Sequence, residues 1–208
     1  MGLLIRLVLG LALALSACAT QTDAPAASPG SFEPTPAVAG DATLPDGTVA
    51  RSWGDGTYGV VMVGGAWDPV AEELALHGMR LVSVPPDALR TAITWLHDEG
   101  VERVAVLAVD DGVGAAFDLG ADEPELVDQL ITISARGNVG RLGVFPKLFI
   151  ASEDESAAAQ ATEMAARAAG DWNAELLVPG DASGLAILDG PGADELLDGV
   201  LRRLEERR

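Results

Sequence analysis

The chain has 208 residues, about half of them apolar (49%), few aromatic (4%), and a formal net charge of −19. That length suits one ordinary domain plus a leader, and a folded part of this size holds a single core without staples. The charge repels nucleic acid and anionic headgroups, which argues against nucleic-acid binding, and a lone cysteine leaves no internal disulfide.

In chain order the first feature is a leader. Arg6 is followed by an apolar run, Leu7 to Leu15, too short to span a bilayer and of the length of a signal-peptide core. The run ends in Leu15-Ser16-Ala17-Cys18, which resembles the lipobox of bacterial lipoproteins. The resemblance implies that residues 1–17 are removed and that the Cys18 thiol carries a diacylglyceryl group, placing the protein on the extracytoplasmic face of a membrane. Two acyl chains anchor far more firmly than one. The alternative is an ordinary signal peptide cut near Ala19, with Cys18 discarded. From 18 to about 40 the chain is Ala, Pro, Ser, Thr and Gly without hydrophobic period, and reads as an extended tether.

A domain is expected over 41–208. Ala42-Thr43-Leu44 and Thr48 to Trp53 flank Pro45-Asp46-Gly47, a turn between extended runs that predicts an antiparallel hairpin. Beyond it, near-continuous apolar runs predict strands at 59–63, 80–84, 103–109, 129–134, 147–151 and 175–178, covered on both faces. Between them helices are expected at 69–77, 87–99 (Asp87 as N-cap), 112–119, 153–169 and 194–207. The alternation predicts an α/β fold: a three-layer α/β/α sandwich, mostly parallel, preceded by the antiparallel hairpin.

Three segments in this order resemble a small, lidless α/β-hydrolase of the dienelactone-hydrolase and lipase-like kind. Val60 to Trp67 resembles the strand that ends in His-Gly, with Gly64 at the histidine position and the Ala66 amide as an oxyanion donor. Val104 to Ala116 resembles the nucleophile elbow, small-x-nucleophile-x-Gly, a turn tight enough to need Ala108 and Gly112. The nucleophile position falls on Asp110, where most members have serine, and Asp111 supplies the second oxyanion amide. The third pair of positions is the acid, Asp154 with Glu153 second, after the strand at 147–151, and the histidine, which falls on Ser183 in Pro179-Gly180-Asp181-Ala182-Ser183-Gly184. On the residues alone each segment has a plainer reading: a glycine turn, a solvated Asp-Asp-Gly turn, a carboxylate at a helix start.

Serine–histidine chemistry needs a base with pKa near working pH, and the implied triad lacks both serine and histidine. The only histidines, His77 and His97, fall late in predicted helices, away from the strand ends where such a site lies. Relatives with an aspartate nucleophile attack carbon without a base but use histidine to hydrolyse the resulting ester. Three readings remain. One is a non-catalytic domain that binds a small molecule or an envelope protein, another a hydrolase acting through Asp110. The third is an acidic cation site formed by Asp110, Asp111, Asp154 and Asp181, whose oxygens suit Ca²⁺ or Mg²⁺. No cofactor is implied.

Overall fold

A computed structural model describes residues 39–208. Cys18, the leader and nearly all of the tether lie outside the described residues.

The hairpin comes first. Strands β1 (Gly40–Thr43) and β2 (Val49–Trp53) pair antiparallel with Thr43 opposite Val49. Their turn closes where Pro45-Asp46-Gly47 was read: Gly47 takes φ 88°, and the Thr48 amide donates to Asp46 Oδ1 at 2.9 Å. The alternating elements follow as β3 (Tyr58–Val63), α1 (Asp68–Leu76), β4 (Met79–Val84), α2 (Leu89–Asp98), β5 (Arg103–Val109) and α3 (Gly112–Asp122). The chain ends with β6 (Gln129–Ile133), β7 (Lys147–Ser152), α4 (Ala158–Arg167), β8 (Asn173–Val178) and α5 (Ala193–Glu205).

The eight strands form one sheet in the order β1-β2-β4-β3-β5-β6-β7-β8. β2 pairs antiparallel with β4, and the strands β3 to β8 are all parallel to one another. Successive side chains of the central strands alternate between two cores, as strand geometry requires. Val61, Val63, Val106, Ala108 and Phe149 pack under α2, α3 and α4. Val60, Met62, Leu107, Val109 and Ile150 pack under α1 and α5. Helices therefore cover both faces, and the architecture is the expected three-layer sandwich.

Two local expectations are corrected. Asp87 does not cap α2: Pro86–Ala88 form a separate 3₁₀ turn, and the helix begins at Leu89 without a side-chain cap. α4 begins at Ala158 rather than 153, because the amides of Glu153 and Asp154 donate to Val178 and Gly180 carbonyls at 2.9 and 3.0 Å. Those bonds stitch the end of β7 to the loop after β8. The β6–β7 crossover, residues 134–146, carries no helix and instead buries Val139, Leu142 and Phe145.

Candidate functional site at the strand ends

The turn from β5 into α3 is only two residues long. Asp110 stands in the left-handed region at φ 51°, a conformation that costs an L side chain energy and recurs at functional sites. The turn can be this sharp because of two glycines. A Cβ on Gly112 would strike the Val63 carbonyl and lie 2.8 Å from the Gly64 amide nitrogen. A Cβ on Gly64, at φ 75°, would fall on the Val109 carbonyl oxygen. The end of β3 and the elbow thus interlock through backbone, and no imidazole fits at position 64. Asp110 and Asp111 are both exposed at the mouth of the turn. So is Ala66, and among the described residues neither the Ala66 nor the Asp111 amide donates a hydrogen bond. Both are left open to an acceptor.

The loop after β8 closes over this elbow. Gly184, at φ 60°, is so near Asp110 that a Cβ there would stand 3.1 Å from the carboxylate oxygen Oδ1. The next side chain, Leu185, turns to the other strand end: a Cβ on Gly65 would lie 2.8 Å from its Cδ1 methyl and 2.8 Å from Val109 Cγ1. Ser152, fully buried at the end of β7, holds the loop by donating to the Ala182 carbonyl at 2.6 Å. Ser183 is exposed at the start of the 3₁₀ turn Gly184–Asp189.

Asp154 is exposed too, and the carboxylate directed inward is its neighbour Glu155. Glu155 Oε2 accepts from the Ser134 hydroxyl at 3.0 Å, and the Ser134 oxygen accepts from the Gly184 amide at 2.7 Å. Ser134, just past β6, has the second non-glycine positive φ among the described residues, 53°. Glu155 Oε1 is buried without a partner there. Three strand ends, β6, β7 and β8, are joined by this relay beside Asp110. Reading the sequence alone missed both residues. Ser134 carries no motif beyond being a polar residue closing an apolar strand, and Glu155 is the third carboxylate in a row.

Of the residues singled out in the sequence, Asp110, Asp111 and Ala66 come together at one strand end, with the Ser183–Leu185 loop against them. Asp154 and Asp181 stay exposed at the rim. The four aspartates weighed as a cation site do not form one: among the described residues no three carboxylate, histidine or cysteine side chains converge on a metal position. His77 caps the far end of α1, 3.6 Å from Glu73 and 3.3 Å from Glu205, and His97 Nδ1 lies 2.7 Å from the Val101 carbonyl. Both belong to the opposite edge of the sheet. No imidazole reaches Asp110, so neither proton relay from a nucleophile nor activation of water by histidine is available at this site.

No protein-family model and no curated protein sequence matches the chain. Solved structures do. The chain is similar to an esterase of Pyrococcus furiosus at 15% identity and a TM-score of 0.62, over 82% of this chain and 93% of the other. A serine hydrolase involved in carbazole degradation has 13% identity and a TM-score of 0.61, over 82% and 100%. A cold-adapted esterase from an Arctic intertidal metagenomic library has 14% identity and a TM-score of 0.58, over 80% and 92%. Likeness at these identities is likeness of fold. The chain has the α/β-hydrolase fold, with its mostly parallel eight-stranded sheet and leading antiparallel pair.

Proposed function

We propose that this chain is an envelope lipoprotein, held at the extracytoplasmic face of a membrane by acyl chains on Cys18. Its α/β-hydrolase domain has lost triad hydrolysis and acts by binding. The observation that carries the reading is the apposition of Gly184 and Asp110. The histidine position falls on Ser183, which is exposed, and the residue set against Asp110 is Gly184, without a side chain, followed by an aliphatic one, Leu185, against Gly65. A fold alone does not imply activity, since one frame hosts many functions. What the strand ends keep is a recognition set: an exposed carboxylate at Asp110 and open amides at Ala66 and Asp111. That set suits a polar small molecule or a polar segment of an envelope protein.

Turnover tests this. The purified protein is assayed against short-chain aryl esters, lactones, epoxides and haloalkanes beside Asp110→Ala at equal concentration. No difference between the two is expected; turnover lost in the variant overturns the reading. Anchoring is tested separately in cells: Cys18→Ala moves the protein from the membrane fraction to the soluble one, and a variant that stays membrane-bound removes the lipid from the proposal. Among the described residues no helix is long and apolar enough to cross a membrane.

The strained elbow favours a second reading, a hydrolase with Asp110 as nucleophile. A carboxylate oxygen of Asp110 attacks a haloalkane carbon, the C–O bond forms and halide leaves with the bonding pair. Water must then cleave the aspartyl ester, and no histidine stands there to activate it. This reading expects a stalled adduct, read as a mass increase on the peptide containing Asp110; an unmodified peptide after long incubation excludes it.

A further inference from the structure

Helices α1 and α5 cover the same face of the sheet, yet a cleft of about 390 Å³ remains, lined by Glu73 of α1 and by Asp194, Leu197, Asp198 and Leu201 of α5. The α5 residues fall at i, i+3, i+4 and i+7, one continuous stripe along that helix. α5 already satisfies the sheet with another stripe, since Leu196, Gly199, Val200 and Leu204 are buried beneath it. Leu197 and Leu201 form a second apolar row, packed against the edge of the same core and left half-buried. Carboxylates flank that row on both sides, Asp194 and Asp198 on its own helix and Glu73 across the cleft, and all three are exposed. Among the described residues no basic side chain lines the cleft. His77 caps α1 between Glu73 and Glu205, and Arg202 follows Leu201 on α5.

We propose that this cleft docks a basic amphipathic helix of another protein. An apolar ridge with one residue per turn accepts the matching ridge of a third helix, whose own anchors repeat at i, i+3, i+4 and i+7. The acidic rim selects lysine or arginine on either side of those anchors and repels an acidic helix. Leucine burial supplies the affinity. The rim pairs stay solvated, so they set orientation and association rate more than strength, and binding weakens as salt is raised. This site shares no lining residue with the Asp110 turn and does not depend on the binding reading given above.

The probe is a fluorescein-labelled synthetic helix of leucine and lysine in amphipathic spacing, titrated with the full-length protein and read by anisotropy at physiological salt. Three variants are compared: Leu197→Ser/Leu201→Ser, Asp194→Asn/Asp198→Asn, and Asp118→Asn/Asp122→Asn on α3, which removes the same charge from the other face. The inference expects the first two to weaken binding about five- to tenfold, a scale set by two screened ion pairs or two partly covered leucines, and the third by less than about twofold. Thermal unfolding followed by circular dichroism controls for loss of fold in the leucine variant; the aspartate variant changes only exposed groups. Equal losses in both aspartate variants mean diffuse attraction to an acidic protein and overturn the proposal. So does an unaffected leucine variant that remains folded, or spermine displacing the peptide completely, which marks an amine site rather than a helix site.

Discussion

A methyl group placed on Gly184 would stand 3.1 Å from Oδ1 of Asp110. Gly184 also holds φ 60°, which an L side chain adopts only at a cost of about 1 kcal/mol or more. Gly184→Ala therefore carries both a backbone and a contact penalty, and a loss of roughly 1–2 kcal/mol in urea unfolding is expected. The two parts separate in a double-mutant cycle: in an Asp110→Gly background the contact vanishes and only the backbone part remains. An unchanged midpoint for Gly184→Ala would mean that the loop yields freely and that Asp110 is not held against it.

Asp110→Gly alone should make the protein more stable. Asp110 and Ser134 are the only non-glycine residues with positive φ among the described ones. Asp110 accepts no side-chain hydrogen bond there that a glycine would forfeit. Relief of the left-handed backbone is worth about 0.5–1 kcal/mol, visible as a higher denaturation midpoint with unchanged slope. Ser134→Gly, by contrast, removes the strain together with two hydrogen bonds and is expected to destabilise. A loss of stability in Asp110→Gly would show that its carboxylate contributes more to the fold than its conformation costs.

The relay through Ser134 predicts an asymmetry between its two ends. Ser134→Ala leaves the Gly184 amide without its acceptor and Glu155 without its donor, in a part-buried place. Unsatisfied groups of this kind cost about 1–3 kcal/mol. Glu155→Gln keeps an oxygen able to accept from Ser134 and should cost well under half as much. Amide hydrogen exchange at Gly184 gives an independent reading, faster in Ser134→Ala and little changed in Glu155→Gln. Equal costs would show that the charge on Glu155, rather than the hydrogen bond, holds the loop.

The fold was legible because its signals are local. Pro45-Asp46-Gly47 demands a turn, the apolar runs of β3 to β8 demand burial on both faces, and the small residues Ala108 and Gly112 demand a close approach. The turn, the close approach and the burial of β3, β5, β6 and β7 are met in the structure, whereas β8, at the edge of the sheet, buries only Val178. The site was legible only where backbone sterics wrote it into residue type, as at Gly64, Asp110 and Gly112. Which of Glu153, Asp154 and Glu155 turns inward is decided by bonds from the Glu153 and Asp154 amides to carbonyls about 25 residues further on, and no local pattern encodes that. Ser134 is recruited by the Gly184 amide, 50 residues away. The β6–β7 crossover hides its burial for a similar reason, since Val139, Leu142 and Phe145 lie in a segment without helical or strand period.

Lys147, the chain's only lysine, is fully buried at the start of β7. Its ammonium donates to the carbonyls of Gly143, Phe145 and Ala169 at 2.8, 2.6 and 2.8 Å and has no carboxylate partner among the described residues. Burial lowers its pKa from the ordinary 10.5 to about 8. A depressed lysine favours the fold in its neutral form. Between pH 8 and 10.5 the unfolded chain holds more protons than the folded one, so stability rises with pH through that window and falls back as pH drops through 8. Tyr58 acts oppositely and later. Burial, and then the Asp128 carboxylate, raise its pKa well above the ordinary 10.0, so its contribution is present below pH 10 and lost above it. With one lysine, one tyrosine and one cysteine in the chain, little else titrates between pH 8 and 10. Urea unfolding across that range should gain about 1–3 kcal/mol in the wild type. Lys147→Met, which leaves three carbonyls unpaired and is less stable throughout, should show a flat profile. A wild-type profile as flat as the variant's would mean that the carbonyl cage holds the ammonium as well as water does.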